Sequence, residues 1–148
     1  MIRYYMVMVC LVCYTLTRAQ SFDFQFDHQS IVVTDSDKSA EFYGSILKLK
    51  EVPHPEGKPG FRWFSVHGNS QIHLIQKDSI VFKKDKSIHL CLATQNLQEF
   101  IVHLKNNNIT YWDWPGNENA VTDRADGVQQ IYIQDPDNYW IEINTAVH

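Results

Sequence analysis

Three histidines and a glutamate, His28, His73, His89 and Glu142, carry the clearest chemistry this sequence offers. His73 sits in the strand-like run SQIHLIQ (Ser70 to Gln76), and Glu142 is flanked by Ile141 and Ile143. Side chains alternate between the two faces of a strand, so Ile72 and Leu74, like Ile141 and Ile143, lie opposite the polar residue between them. His28 and His89 each stand near the start of a strand-like run, FDHQSIVVT and SIHLCLAT. Buried without partners, such groups would each cost about 1–3 kcal/mol. A divalent cation would satisfy all four, and this donor set suits zinc, nickel, iron, manganese or cobalt better than calcium. For any one strand histidine, core packing is the simpler explanation. Four polar residues at corresponding places favour a metal.

The places correspond because the sequence repeats. Residues 24–77 and 86–146 run through the same order of elements. Each half opens on a strand, Phe26 to Thr34 and Ser87 to Thr94, followed by an amphipathic helix. In the first, Thr34 or Asp35 can cap DSDKSAEFYGSIL, which turns Ala40, Tyr43, Ile46 and Leu47 to one side. In the second, Asn96 can cap NLQEFIVHLKNN, with Leu97, Phe100, Ile101 and Leu104 as the apolar stripe. A short strand comes next, Leu49 to Pro53 and Ile109 to Trp112, and then a loop of proline, glycine and polar residues. Hairpins close both halves, turning at Gly68-Asn69 and at Asp135-Pro136-Asp137-Asn138. The expected fold is therefore α+β: two βαβββ modules joined by a linker over residues 78–85. The second loop, Asp113 to Gly127, is long for a compact domain; long loops often serve as lids or binding segments, the role expected of Asn117 to Asp126.

With 148 residues, 44% hydrophobic and 20% charged, the chain has the make-up of one folded domain. Its first twenty residues differ. An arginine, an apolar stretch from Tyr4 to Leu16 and then Thr17-Arg18-Ala19 follow the layout of a secretory signal cleaved after Ala19. The apolar run falls short of the roughly 20 residues that span a bilayer. A signal over 1–19 and a single domain over 20–148 are expected, with the mature protein secreted or periplasmic and not stably inserted in a membrane. Cleavage removes Arg3 and Arg18, leaving 11 basic against 17 acidic side chains and a net charge of −6. Nucleic acid is thus not an expected partner. FKKDK, Phe82 to Lys86, reads as a solvated linker. Cys91 is the one cysteine left after cleavage, so no internal disulfide forms.

The segments FDHQSIVVTDSDKSAEFYGSILKLK, QIHLIQ, SIHLCLAT and IYIQDPDNYWIEI resemble the vicinal oxygen chelate superfamily, which includes glyoxalase I, bleomycin-resistance proteins, fosfomycin-resistance transferases, methylmalonyl-CoA epimerase and extradiol dioxygenases. SAEFYGSIL and DPDNYWIEI are the most specific stretches, and the resemblance runs from about Phe24 to Asn144. It implies an eight-stranded mixed-sheet cup with helices outside, and one divalent metal ion held by His28, His73, His89 and Glu142. It also implies a small-molecule substrate and a possible homodimer. The chain departs from the family in places. His73 stands where glyoxalase I usually has a carboxylate and the epimerase a glutamine. Lys48 replaces a common glycine after the first helix, and Asn138 the glycine of the last turn, a milder change because asparagine tolerates the left-handed conformation.

The function implied is a metal-dependent lyase or isomerase of glyoxalase I-like (lactoylglutathione lyase) type. Adjacent substrate oxygens would chelate the cation, which as a Lewis acid stabilises an enediolate. Glu142 is the one ligand able to accept the proton. His73 in place of a second carboxylate adds positive charge and weakens that base. A secreted enzyme meets little glutathione, so the glutathione hemithioacetal is not assigned as substrate. The alternatives are a ferrous extradiol-type dioxygenase, whose iron usually has two histidines, one carboxylate and open positions, and a non-catalytic binding or resistance protein. Gln71, Trp140 and Asn144 share the ligands' face and are candidates for substrate contact. Cys91 faces the same way and is read as a small packed residue. Trp63, Trp112, Trp114 and Trp140 are core or cup-lining aromatics. His54, His103 and His148 read as solvated, and His67 has no assigned role.

Overall fold

The computed structural model describes residues 25–81 and 84–147; the expected signal over 1–19 and His148 lie outside that range. Strand β1 (His28–Val33) leads into α1 (Ser36–Glu41), which runs on as a wider π-helical turn over Phe42–Ile46. Then come β2 (Lys50–Val52), β3 (Phe61–His67) and β4 (Ser70–Gln76). The second module repeats the order with β5 (His89–Ala93), α2 (Leu97–Asn106), β6 (Thr122–Asp123), β7 (Gln129–Gln134) and β8 (Trp140–Asn144). The eight strands form two four-stranded mixed sheets, ordered β1-β4-β3-β2 and β5-β8-β7-β6. In each, the first strand runs parallel to the last, as a helical crossover requires. The fold is the expected α+β pair of βαβββ modules.

Alternation decides which face is buried. Ile31, Val33, Ile72 and Leu74 of the first sheet join Ile131, Ile133, Ile141 and Ile143 of the second, with helix residues Tyr43, Leu97, Ile101 and Leu104, in one apolar core. Leu74, Ile133 and Ile141 are wholly excluded from solvent, and burying a side chain of this size contributes about 1.5–3 kcal/mol. The core lies on the helix side of both sheets. The opposite face carries the polar residues.

Local signals decide the helix ends, with one exception. Asp35 is the cap of α1, its carboxylate accepting from the backbone N–H groups of Asp37 and Lys38 at 3.0 Å each. Thr34 instead donates its hydroxyl to Asp137 at 2.6 Å and so ties the modules together. Asn96 precedes α2 but caps nothing with its side chain; its own N–H goes to Thr94 Oγ1.

One expected strand is displaced. Ile109 to Trp112 does not form the edge of the second sheet; Trp112 alone bridges to Tyr132 and Glu118, and the edge strand is β6, from within the long loop. Loop-internal bonds explain this. Asp113 turns the chain away by accepting from the backbone N–H groups of Gly116 and Asn117 and from the Asn117 side chain, which brings Thr122 and Asp123 alongside Gln130 and Gln129.

His54 and His103 are not solvated as expected. His54 packs against Trp63 and Phe61, and His103 Nε2 lies 3.1 Å from the Ile46 carbonyl of the other module.

Candidate functional site

The two sheets place their polar residues in the same register. His28 is paired with Gln71, and His73 lies two residues further along β4; His89 is paired with Trp140, and Glu142 lies two residues further along β8. The repeat read in the sequence is therefore preserved to the residue. Each pair straddles neighbouring strands diagonally on the face away from the core.

In the first module the pair is aromatic. Trp63, directly across from His73 on β3, stacks on it with centroids 4.0 Å apart and planes 8° from parallel. His28 stacks on the other face of His73 at 4.2 Å and 18°. Gln71 Oε1 meets His73 Nε2 at 2.8 Å, and Asp27 meets His28 Nδ1 at 2.5 Å. Burial in this stack, with the neighbouring His28, holds His73 below the usual histidine range.

In the second module the pair is ionic. Glu142 Oε2 accepts from the Tyr132 hydroxyl at 2.5 Å and lies 3.2 Å from His89 Nε2. Oε1 accepts from Asn144 at 2.8 Å and from the Cys91 thiol at 3.5 Å. Burial alone would push Glu142 up, but these hydrogen bonds and the charge of His89 hold its carboxyl below the usual range. The same cluster pushes its donors the other way. Desolvation and the Glu142 charge raise the Cys91 thiol to about 12 and lift the hydroxyl of the fully buried Tyr132 well above its ordinary value. Both remain protonated donors. His89 presents its second nitrogen to the Lys86 carbonyl at 2.7 Å, so both ring nitrogens face oxygen acceptors.

Tyr132 and Lys86 were not expected in the site, and Trp63 was expected only as a core or cup-lining aromatic. Tyr132 could have been found by alternation, since Ile131 and Ile133 flank it as Ile141 and Ile143 flank Glu142. Trp63 needed the β3–β4 register. Lys86, expected in a solvated linker, lies instead over the rings of Trp140 and Tyr132, at 4.7 and 5.3 Å from their centroids.

The four expected ligands thus form two pairs, and within one chain they do not fit a single metal. Among the described residues no three His, Cys, Asp or Glu side chains are arranged to hold an ion. Ring geometry gives the reason for His28 and His73. An imidazole binds a metal in its own plane at about 2 Å, whereas planes stacked and tilted as these are converge only on the order of 10 Å away. His89 and Glu142, for their part, are bonded to each other. Of the expected substrate-contact residues, Gln71 and Asn144 each bind a member of a pair, and Trp140 packs against Trp112 and Lys86.

Two βαβββ modules, each lifting a polar pair off the first and last strand of its sheet, define a paired-module α+β protein with a polar sheet face. The chain belongs to the Glyoxalase/Bleomycin resistance protein/Dioxygenase superfamily, whose model matches residues 25–143. Proteins of this family are often enzymes, typically bind a divalent metal and small molecules, and commonly form dimers. The chain is similar to the uncharacterized protein YwbC of Bacillus subtilis (strain 168), 28% identical over 124 residues that cover 80% of this chain and 94% of that one. In structure it is similar to the oxidase ChaP-H2, with a TM-score of 0.70, 18% identity, and 85% of this chain and 96% of that one covered. It is likewise similar to a lactoylglutathione lyase from Agrobacterium tumefaciens, with a TM-score of 0.62, 16% identity, and 82% and 93% covered. At these identities the likeness is one of fold.

Proposed function

We propose that the chain is a lyase or isomerase of glyoxalase I-like type, acting on a small substrate with two adjacent oxygens, with Glu142 accepting the proton that leaves carbon. The observation that carries this reading is the Glu142 cluster. A carboxylate 5% exposed is kept ionised by Tyr132 and Asn144, with His89 beside it and more open to solvent. The donors keep the carboxylate ionised and fixed out of water, ready to accept a proton, and they also lower its basicity, which substrate displacing one of them would restore. His89 can take up or release the proton where substrate meets the pair.

Within one chain the arrangement does not fit a metal. Uniting His28 and His73 with His89 and Glu142 around one ion, as the resemblance implies, needs the His28–His73 stack to open and the faces of the two modules to meet, in a homodimer or by rearrangement within one chain. Elemental analysis of monomer and dimer fractions tests this. The proposed export likewise rests on residues 1–19, and sequencing the N-terminus of the mature protein tests it.

Hydrogen exchange tests the function. In D2O, dihydroxyacetone and glycolaldehyde should lose their C–H proton signals at an enzyme-dependent rate, and Glu142→Gln should slow that exchange by about 10²–10⁴, the usual worth of a general base. Oxygen consumption without exchange would favour the dioxygenase. Binding without either would favour a non-catalytic binder.

A further inference from the structure

Lys86 reaches back over the sheet that carries Glu142. Its ammonium donates to the carbonyls of Asp113 and Trp114 at 3.1 and 3.3 Å and lies over the faces of Trp140 and Tyr132. Tyr132 is the residue that donates to Glu142, and the Lys86 carbonyl meets His89. The charge therefore sits at the rim of the proposed site, over two side chains that share the face of Glu142. An ammonium has three N–H donors, and the two carbonyls take two of them.

Its charge is not matched by an ion pair. The Asp113 carboxylate feels Lys86 electrostatically, but among the described residues no carboxylate lies within 4.0 Å of it. That carboxylate is occupied with Gly116 and Asn117. Arg124, the other cation felt by this cluster, is paired with Asp126 at 2.6 Å. In a chain of net charge −4, a cation fixed over the face of Glu142 without an ion pair calls for a reason. Two ring faces and two carbonyls hold an ammonium in place without cancelling its charge.

We propose that Lys86 is the substrate-anion anchor of this site, so that its substrates carry a carboxylate next to the second oxygen, in the manner of 2-hydroxy and 2-oxo acids. This rests on the reading of the Glu142 face as the substrate site. Lys86 offsets the repulsion that Glu142 would exert on an anion, and its third N–H supplies the hydrogen bond.

Glycolate and glycolamide test the proposal, because both have adjacent oxygens and only glycolate is charged. Binding is followed by ligand-observed NMR on the full chain. The wild type should bind glycolate about tenfold more tightly than glycolamide, the range of one hydrogen bond to a charged group. Lys86→Gln keeps a donor for the loop carbonyls while losing the charge; it should abolish the preference by weakening glycolate binding more than glycolamide binding, whereas Lys86→Arg should retain it. Should Lys86→Gln fail to fold, potassium chloride titration of the wild type replaces it, and the preference must shrink as salt rises. Equal binding of the two probes, or a preference that survives Lys86→Gln or high salt, overturns the anchor and leaves the substrate face standing. If neither probe binds, the face itself has been misread and the anchor falls with it.

Discussion

His28 lies face to face on His73, centroids 4.2 Å apart and planes 18° from parallel, and Trp63 closes the other side of the same ring at 4.0 Å. A ring held between two others loses water on both faces, which disfavours its charged form. Residues expected to reach toward a common ion are instead committed to each other.

The stack makes a titration prediction. Because the folded pKa of His73 is depressed, the group stabilises the fold above its ordinary value, about 6.5, and that contribution is lost as the pH falls below it. Its ring signal in a proton NMR titration should have a midpoint below that of a free histidine. His28→Ala removes the neighbouring ring, so the midpoint should rise toward the free value.

Asp135 has the opposite sign. Burial raises its carboxyl to about 6, although Tyr139, Asp137 and Tyr43 all donate to it. The folded state then binds the proton more tightly than the unfolded one, so this group favours folding most at low pH, and the contribution fades as pH climbs from about 4 to about 6. Asp135→Asn keeps an oxygen for the two backbone N–H groups. It should flatten that slope and leave the melting temperature at pH 7.5 unchanged or higher, with a gain of at most about 3 kcal/mol at 1.4 per pKa unit. Thermal melts across the pH range measure it.

Tyr132→Phe removes the shortest bond to Glu142. A hydrogen bond to a charged group contributes about 1.5–3 kcal/mol, and denaturant unfolding should register a loss of that order. The Glu142 carboxyl, now short of a donor, should titrate higher in a carbon NMR experiment. Its stabilising contribution, present above the ordinary carboxylate pKa of about 4.3 and lost on acidification, should vanish at a higher pH than in the wild type.

Lys48 occupies the left-handed region with φ 57° and is exposed. A residue with a Cβ is strained there by about 1–2 kcal/mol, which glycine avoids. Lys48→Gly should therefore stabilise the protein by about 1 kcal/mol in chemical denaturation, part of the gain being lost to the freer unfolded chain. Asn138, at φ 62°, is another such position; asparagine tolerates this conformation, so Asn138→Gly should change stability by less.

The sequence by itself determined which residues share a face. Period-two alternation is a property of the strand alone, so Ile72 and Leu74 had to lie opposite His73, and Ile141 and Ile143 opposite Glu142. The modules, the hairpin turns and the Asp35 cap were equally legible, because each depends on neighbours a few residues away. The tertiary structure alone decided what those side chains meet. Glu142 takes its donors from Tyr132, Cys91 and Asn144 across three strands, and the site's cation comes from a segment that reads as solvated linker. The edge strand came from inside the long loop, because Asp113 accepts from the Gly116 and Asn117 N–H groups and turns the chain away after Trp112. Whether two pairs of polar residues become one centre or two is set by how one sheet is placed against another, and no local pattern encodes that distance.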